Sequence, residues 1–141
     1  MCNQSYCRHY FITQGVDINL AIEDSLTPLL LCAEYGHRES FNVLIQNSAN
    51  VNKTDIKQNT AMMICSSRGN TSQVNTLLKN NADLNLQNNK GESALTIAVR
   101  NGFVEIVELL LCHTSSKENK PVSTKTVVSI INIQQYVGLF G

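Results

Sequence analysis

The sequence predicts an all-α fold, a solenoid in which short pairs of helices stack side by side. Three observations predict it. The pattern repeats every 33 residues, each repeat has two short apolar stretches separated by a glycine, and neither stretch is long enough to form a core alone. The period holds for a hydroxyl residue, a glycine and a leucine: Thr27, Gly36 and Leu44, then Thr60, Gly69 and Leu77, then Ser93, Gly102 and Leu110.

The first full repeat has the clearest helix start. Thr27 can cap a helix with its hydroxyl, and Pro28 follows at the first helical position, where its missing N–H costs nothing. The glycine turn at Gly36 then reverses the chain. Phe41 and Leu44 belong to the apolar stretch of the second helix. We therefore expect two short helices between residues 27 and 46.

The second repeat departs furthest from this pattern. Ala61 replaces the proline, Ser66 stands in the place of an alanine, and Gln73 stands where the third repeat has Ile106. We expect the middle of the array to be its least stable part, because the stability of a solenoid is a sum over repeats and their interfaces. Restoring alanine at position 66 and isoleucine at position 73 should then raise the melting temperature.

The third repeat is the most regular. Ala94 and Ile97 lie in a short apolar helix that the sequence Asn101-Gly102 ends, and a second helix with an apolar face begins before Ile106. Such a helix pair needs neighbours to bury its apolar residues. The two preceding repeats provide them.

The repeats resemble those of the ankyrin family. The sequence Thr27-Pro28-Leu29, the Gly36-His37 turn and the stretch of residues 48–52 are similar to the helix start, the central turn and the closing hairpin of an ankyrin repeat, and the same places recur one and two periods later. The resemblance covers about residues 20–112 and gives repeats at 20–52, 53–85 and 86–113. Only the third hairpin has the family's turn glycine, Gly91, where Ser25 and Gln58 stand in the others.

The two ends of the chain match the pattern in part. Residues 1–19 are similar to the second half of a repeat, which indicates either a fragment of a longer array or a rough N-terminal cap. Residues 114–125 are predicted to be a linker, because polar residues replace the expected hairpin. Residues 126–141 form either a degenerate capping helix or an unrelated tail.

Composition limits the classes of partner. Eleven basic and eleven acidic residues cancel, without a run of like charges, so nucleic acid and anionic membranes are not expected partners. No apolar stretch is long enough to span a membrane. Five cysteines are an odd number, which fits reduced thiols better than a disulfide framework. We expect a cytoplasmic or nuclear protein.

The sequence has no pattern typical of an enzyme or a metal site. Cys7 near His9 and Cys112 beside His113 are the only thiol and imidazole neighbours, and adjacent side chains on a helix point apart. A metal site needs about four convergent ligands, and the spacing of cysteine, histidine and carboxylate residues offers none. We expect no catalytic residue, no cofactor and no metal ion.

The resemblance implies that the protein binds another protein through the concave face formed by the hairpin tips and the first helices. The alternative is a regulatory or targeting segment of a larger enzyme, channel or ubiquitin ligase. Carried over position by position, the implied partner-binding residues are Glu23, Asp24, Leu26, Glu34, Tyr35, Ile56, Lys57, Asn59, Ser67, Arg68, Asn89, Lys90, Glu92, Arg100 and Asn101.

Two properties of this face are expected. Its charge should change from acidic to basic along the array, because Glu23, Asp24 and Glu34 lie in the first repeat while Arg68, Lys90 and Arg100 lie in the second and third. Tyr35 and Ile56 are the candidate apolar anchors, since large side chains at exposed positions often dominate binding.

The resemblance also implies a modification site. Some ankyrin-repeat proteins are hydroxylated on a hairpin asparagine, and Leu77, Asp83, Leu84 and Asn85 are similar to that acceptor pattern. Asn85 is therefore a candidate substrate for an asparagine hydroxylase.

Overall fold

A computed structural model describes residues 17–118. Within this range a 3-10 turn, Glu23–Ser25, precedes six helices in three pairs: α1 (Pro28–Tyr35) with α2 (Arg38–Gln46), α3 (Ala61–Arg68) with α4 (Thr71–Lys79), and α5 (Ala94–Asn101) with α6 (Val104–Glu118). Helix α3 packs between α1 and α5, and α4 packs between α2 and α6. The described part of the chain is a helical solenoid, as predicted.

The first helix of each pair begins with the same local chemistry. The side-chain oxygens of Thr27, Thr60 and Ser93 accept hydrogen bonds from the N–H groups three residues later, each at 3.3 Å. These bonds satisfy N–H groups that have no partner within the helix. The three helices end at Gly36, Gly69 and Gly102, which have left-handed backbone with φ between 71° and 75°. Hydroxyl and glycine spacing therefore set the length of α1, α3 and α5.

The core is continuous from repeat to repeat. Every residue from Ala61 to Ser66 in α3 is buried, because this helix has a neighbour on both sides. Phe41, Leu77 and Val107 are fully buried between the second helices. The middle repeat thus has the most enclosed helix, although its sequence departs furthest from the pattern.

Gln73 is buried rather than exposed, with 2% of its surface accessible. Its Nε2 donates to the carbonyl oxygen of Cys32 at 3.4 Å, and its Oε1 accepts from Cys65 Sγ at 3.8 Å. The side chain therefore links α4 to α1 across the boundary between repeats, and to α3 within its own repeat. The sequence interpretation treated Gln73 only as lost apolar surface, and these contacts correct it.

The hairpin tips, hereafter called fingers, are hydrogen-bonded in a row. The first finger is residues 22–26, the second 55–59 and the third 88–92. The N–H of Ile56 donates to Asp24 O at 2.9 Å, and the N–H of Asn89 donates to Lys57 O at 3.0 Å. Each finger is thus tied to the next by its backbone.

The turn of each finger needs left-handed backbone. Ser25, Gln58 and Gly91 occupy the same place and have φ values of 60°, 63° and 74°. Only glycine adopts this conformation without steric cost. The first two fingers therefore adopt the same turn as the third finger, but Ser25 and Gln58 are strained in this conformation whereas Gly91 is not.

We expect Gln58→Gly to raise the free energy of unfolding by about 0.5–1 kcal/mol, because relief of left-handed strain exceeds the entropy that glycine adds to the unfolded chain. Urea denaturation measures the change. Lys53→Gly is the matched control: Lys53 is exposed and does not have positive φ, so its replacement should lower stability. A loss at both positions would contradict the prediction.

Helix α6 is longer than predicted. It continues to Glu118, so residues 114–118 are helical where the sequence predicted the start of a linker. Ser48 and Asn81, which end the second helices of the earlier repeats, adopt left-handed backbone with φ of 67° and 58°. Thr114 occupies the equivalent place, and a β-branched residue disfavours that conformation. Its Oγ1 instead donates to Leu111 O at 2.8 Å within the helix.

The other predictions about the ends concern residues outside the described range. These are most of the partial repeat at 1–19, the rest of the linker, and the capping helix or tail at 126–141. Within residues 17–118, no helix is long and apolar enough to cross a membrane.

Candidate functional site

A groove of about 530 Å³ runs along the concave face, between the fingers and the first helices. Its floor has an aliphatic row, Leu31, Ile64 and Ile97, one residue from each first helix. Ile64 and Ile97 are buried and Leu31 is half-buried, so Leu31 in the first repeat is the member of this row that a ligand can reach. The rim is polar and charged.

The groove brings together twelve of the fifteen residues assigned to partner binding from the sequence. They are Asp24, Leu26, Glu34, Tyr35, Ile56, Lys57, Asn59, Ser67, Asn89, Lys90, Glu92 and Arg100. Glu23, Arg68 and Asn101 lie outside its lining. Arg68 pairs with Glu34 at the surface, and the side chain of Asn101 donates to Ile97 O at 3.0 Å.

Six lining residues were not among the assigned ones: Leu31, Asp55, Met63, Ile64, Asn88 and Ile97. Four of them, Leu31, Met63, Ile64 and Ile97, are apolar like the buried residues beside them in the first helices. The sequence therefore does not distinguish residues of the groove floor from residues of the core. The other two, Asp55 and Asn88, are polar and lie one period apart, each four residues before the end of a finger. This spacing is the signal in the sequence that could have identified them.

Asp55 and Asn88 hold the second and third fingers in shape. Asp55 Oδ1 accepts from the N–H groups of Lys57 and Asn59 at 2.9 and 2.8 Å. Asn88 Oδ1 accepts in the same way from Lys90 and Glu92 at 2.9 and 3.0 Å. Both side chains are therefore already used within the fold.

Side-chain bonds also join these two fingers to each other. Asn88 Nδ2 donates to Asn59 Oδ1 at 3.0 Å and to Glu92 Oε2 at 3.1 Å. Asn89 Nδ2 donates to Ile56 O at 3.4 Å. With the backbone bonds between fingers, these contacts fix the rim before any ligand arrives, which reduces the entropy lost on binding.

Two ion pairs change the predicted charge pattern. Arg68 Nη2 pairs with Glu34 Oε1, and Arg100 Nη1 pairs with Glu92 Oε1. The predicted gradient from acidic to basic treats Glu34, Arg68 and Arg100 as charges without a partner. In the structure, Arg68 pairs with Glu34 of the preceding repeat and Arg100 pairs with Glu92 of the third finger, so these charges are compensated. The gradient is therefore smaller than the sequence predicted, and it rests mainly on the fingers.

Tyr35 and Ile56 are the most exposed large apolar residues in the described range, at 70% and 62% of their surfaces. Both line the groove. Because the N–H of Ile56 donates to Asp24 O, Ile56 lies beside the first finger. The side chains of Tyr35 and Ile56 therefore offer exposed apolar surface to a ligand in the groove.

The buried thiol in this part of the molecule is chemically unreactive. Burial raises the pKa of Cys65 to about 12, so the thiol stays protonated at neutral pH and is no nucleophile. Cys32, Cys65 and Cys112 form no disulfide among residues 17–118. In the same residues, no group of three or more histidine, cysteine or carboxylate side chains is placed to hold a metal ion.

Asn85 is exposed in the loop after α4, and its N–H donates to Asp83 Oδ1 at 2.9 Å. The equivalent residues Asn19 and Asn52 differ: their Oδ1 atoms accept from the N–H groups of Asn50 and Asp83 in the next repeat, at 2.7 and 2.8 Å. The side chain of Asn85 makes no such bond within the described range.

Comparison with known protein families agrees with the geometry. The family model for ankyrin repeats matches three copies, over residues 1–88 and 53–121. No curated protein matches the sequence significantly.

Proposed function

Since the chain belongs to the ankyrin-repeat family, we propose that it acts as an adaptor or scaffold that binds a partner protein in its concave groove. Ankyrin repeats are generally protein–protein interaction modules. The observation that carries the proposal is the exposed apolar pair Tyr35 and Ile56 on a rim that hydrogen bonds have already fixed. Large apolar side chains held rigidly in a groove are typical binding hot spots.

The proposal assigns the groove a binding role and no catalytic one. The carboxylates of Glu34 and Glu92 are held in ion pairs, and that of Asp55 accepts backbone hydrogen bonds. These carboxylates are therefore already engaged by partners within the fold. We propose that binding takes place in the cytoplasm or the nucleus, where thiols such as Cys65 stay reduced.

Combined replacement Tyr35→Ala and Ile56→Ala should weaken partner binding at least about tenfold, because both side chains would be buried by a ligand in the groove. Partners are first identified by affinity capture with the full chain and mass spectrometry, and the affinity of each purified candidate is then measured by calorimetry. The melting temperature should change little, since exposed substitutions usually cost below about 0.5 kcal/mol.

Val104→Ala is the matched control for this experiment. Val104 is an exposed apolar residue at the start of α6 and does not line the groove. Its replacement should leave affinity unchanged. If Val104→Ala abolishes binding while the Tyr35 and Ile56 replacements have no effect, the interface lies away from the concave face and the proposal fails.

Asn85 supports a second proposal, hydroxylation by an asparagine hydroxylase. The supporting observation is that, among the residues that the structure describes, its exposed side chain makes no bond like the one from Asn52 to the next repeat. Incubation with the enzyme, dioxygen and its reducing co-substrate should add one oxygen atom to the peptide that contains Asn85. The peptide containing Asn52 is the internal control, and modification of neither peptide would reject the proposal.

A further inference from the structure

We propose that the groove binds an acidic peptide segment with one large apolar side chain. The apolar side chain would contact Tyr35 and Ile56, and the carboxylates would face Lys57 and Lys90. This inference rests on the proposed binding function and adds the chemistry of the partner to it. The observation that supports it is that Lys57 and Lys90 form no ion pair with any residue that the structure describes.

Most charged groups that line the groove are already compensated. Glu34 and Glu92 pair with arginines, and Asp55 accepts hydrogen bonds from two backbone N–H groups and from Asn59 Nδ2. Among the residues that the structure describes, the lysines at positions 57 and 90 form no ion pair. They therefore provide positive charge that a ligand can use.

The two lysines occupy the same place on neighbouring fingers. The backbone bond from the N–H of Asn89 to Lys57 O, at 3.0 Å, holds these fingers together. Two ammonium groups on adjacent, fixed fingers repel each other, and a carboxylate between or beside them removes that repulsion. An anionic ligand is thus favoured beside the second and third fingers.

The groove also has apolar lining residues, which are Leu26, Leu31, Tyr35 and Ile56, and the carboxylate of Asp24 lies among them. An apolar side chain of the partner can cover this patch, whereas an acidic one would be repelled by Asp24. The groove therefore favours a peptide that combines an apolar side chain with acidic ones.

Nucleic acid is a poorer fit to the same lysines. Tight binding of a phosphate backbone requires many basic contacts. This groove has two lysines without an ion pair among the described residues, and the carboxylate of Asp24 also lines it. A continuous row of phosphates would meet too few cations here, whereas a peptide can place its carboxylates beside the two lysines alone.

The test is a selection from a random peptide library displayed on phage, carried out on the full chain. Selected peptides should be enriched in aspartate and glutamate around one large apolar residue. Their affinity, measured by fluorescence anisotropy, should fall about tenfold in Lys57→Glu combined with Lys90→Glu, and it should weaken with salt. Lys53→Glu with Lys79→Glu is the control, because both lysines are exposed outside the groove and the change in net charge is the same.

The outcomes separate this inference from the function on which it rests. Peptides that lose binding on Tyr35→Ala but carry no excess of acidic residues would overturn the acidic chemistry alone. Peptides insensitive to Tyr35→Ala and to the lysine reversals would overturn the groove as a binding site. An RNA oligonucleotide that binds more tightly than the selected peptides would also overturn the inference.

Discussion

Replacing Gly69 by alanine should lower the free energy of unfolding by about 2–5 kcal/mol. Gly69 has φ of +75°, and a Cβ built there lies 2.8 Å from Phe103 Cε1 and 3.0 Å from Phe103 Cζ. Left-handed backbone costs a residue with a Cβ about 1–2 kcal/mol, and overpacking costs typically about 1–3 kcal/mol. Phe103 is partly buried against the core, so its ring has little room to move. Urea denaturation measures the loss.

Gly36→Ala separates the two causes of this effect. Gly36 has nearly the same backbone, with φ of +71°, but its built Cβ meets only Asn70 Nδ2, at 3.9 Å. It should therefore show the conformational cost alone, about 1–2 kcal/mol. Equal losses at the two glycines would mean that the Phe103 ring shifts without cost, and would refute the packing argument.

Ser66→Ala should raise the free energy of unfolding by about 1–2 kcal/mol. The side chain is fully buried, and its hydroxyl has no hydrogen-bond partner among residues 17–118. A buried hydroxyl without a partner costs about 1–3 kcal/mol. The equivalent residue in the first repeat is Ala33, which is also fully buried, so alanine fits this place in the stack. Thermal and urea denaturation followed by circular dichroism measure the gain.

Gln73→Ile is the companion variant, and its expected effect differs from the one the sequence predicts. The new side chain gains apolar burial but loses the hydrogen bond to Cys32 O and removes the acceptor for the Cys65 thiol. These terms are of similar size, so stability should change by less than about 1 kcal/mol. A gain at position 73 as large as that at position 66 would show that the bonds of Gln73 contribute little.

The placement of the groove residues follows from the repeat. Positions 33 residues apart occupy equivalent places in the stack, so a residue assigned to the concave face in one repeat identifies its equivalents in the other two. Twelve of the fifteen residues predicted in this way line the groove. Arg68 does not line the groove, and its side chain pairs with Glu34 in the preceding repeat. Leu31 was missed because its neighbours in the sequence are as apolar as it is.

The sequence by itself determined the elements that depend on near neighbours. Helix starts at Thr27, Thr60 and Ser93 and helix ends at glycine are decided within three or four residues, so local chemistry predicts them. The 33-residue period then predicts that the helix pairs stack, because helices this short are buried only when neighbouring repeats cover their apolar faces.

Only the tertiary structure decided which polar groups are compensated. Arg68 pairs with Glu34, 34 residues away, and Gln73 reaches Cys32, 41 residues away, and both contacts cross the boundary between repeats. The period places repeats next to each other but does not give the rotamers of long side chains, which depend on the distance to several possible partners at once. For that reason the sequence does not show that, in the described part of the chain, the arginines of this face are paired while the lysines at positions 57 and 90 form no ion pair.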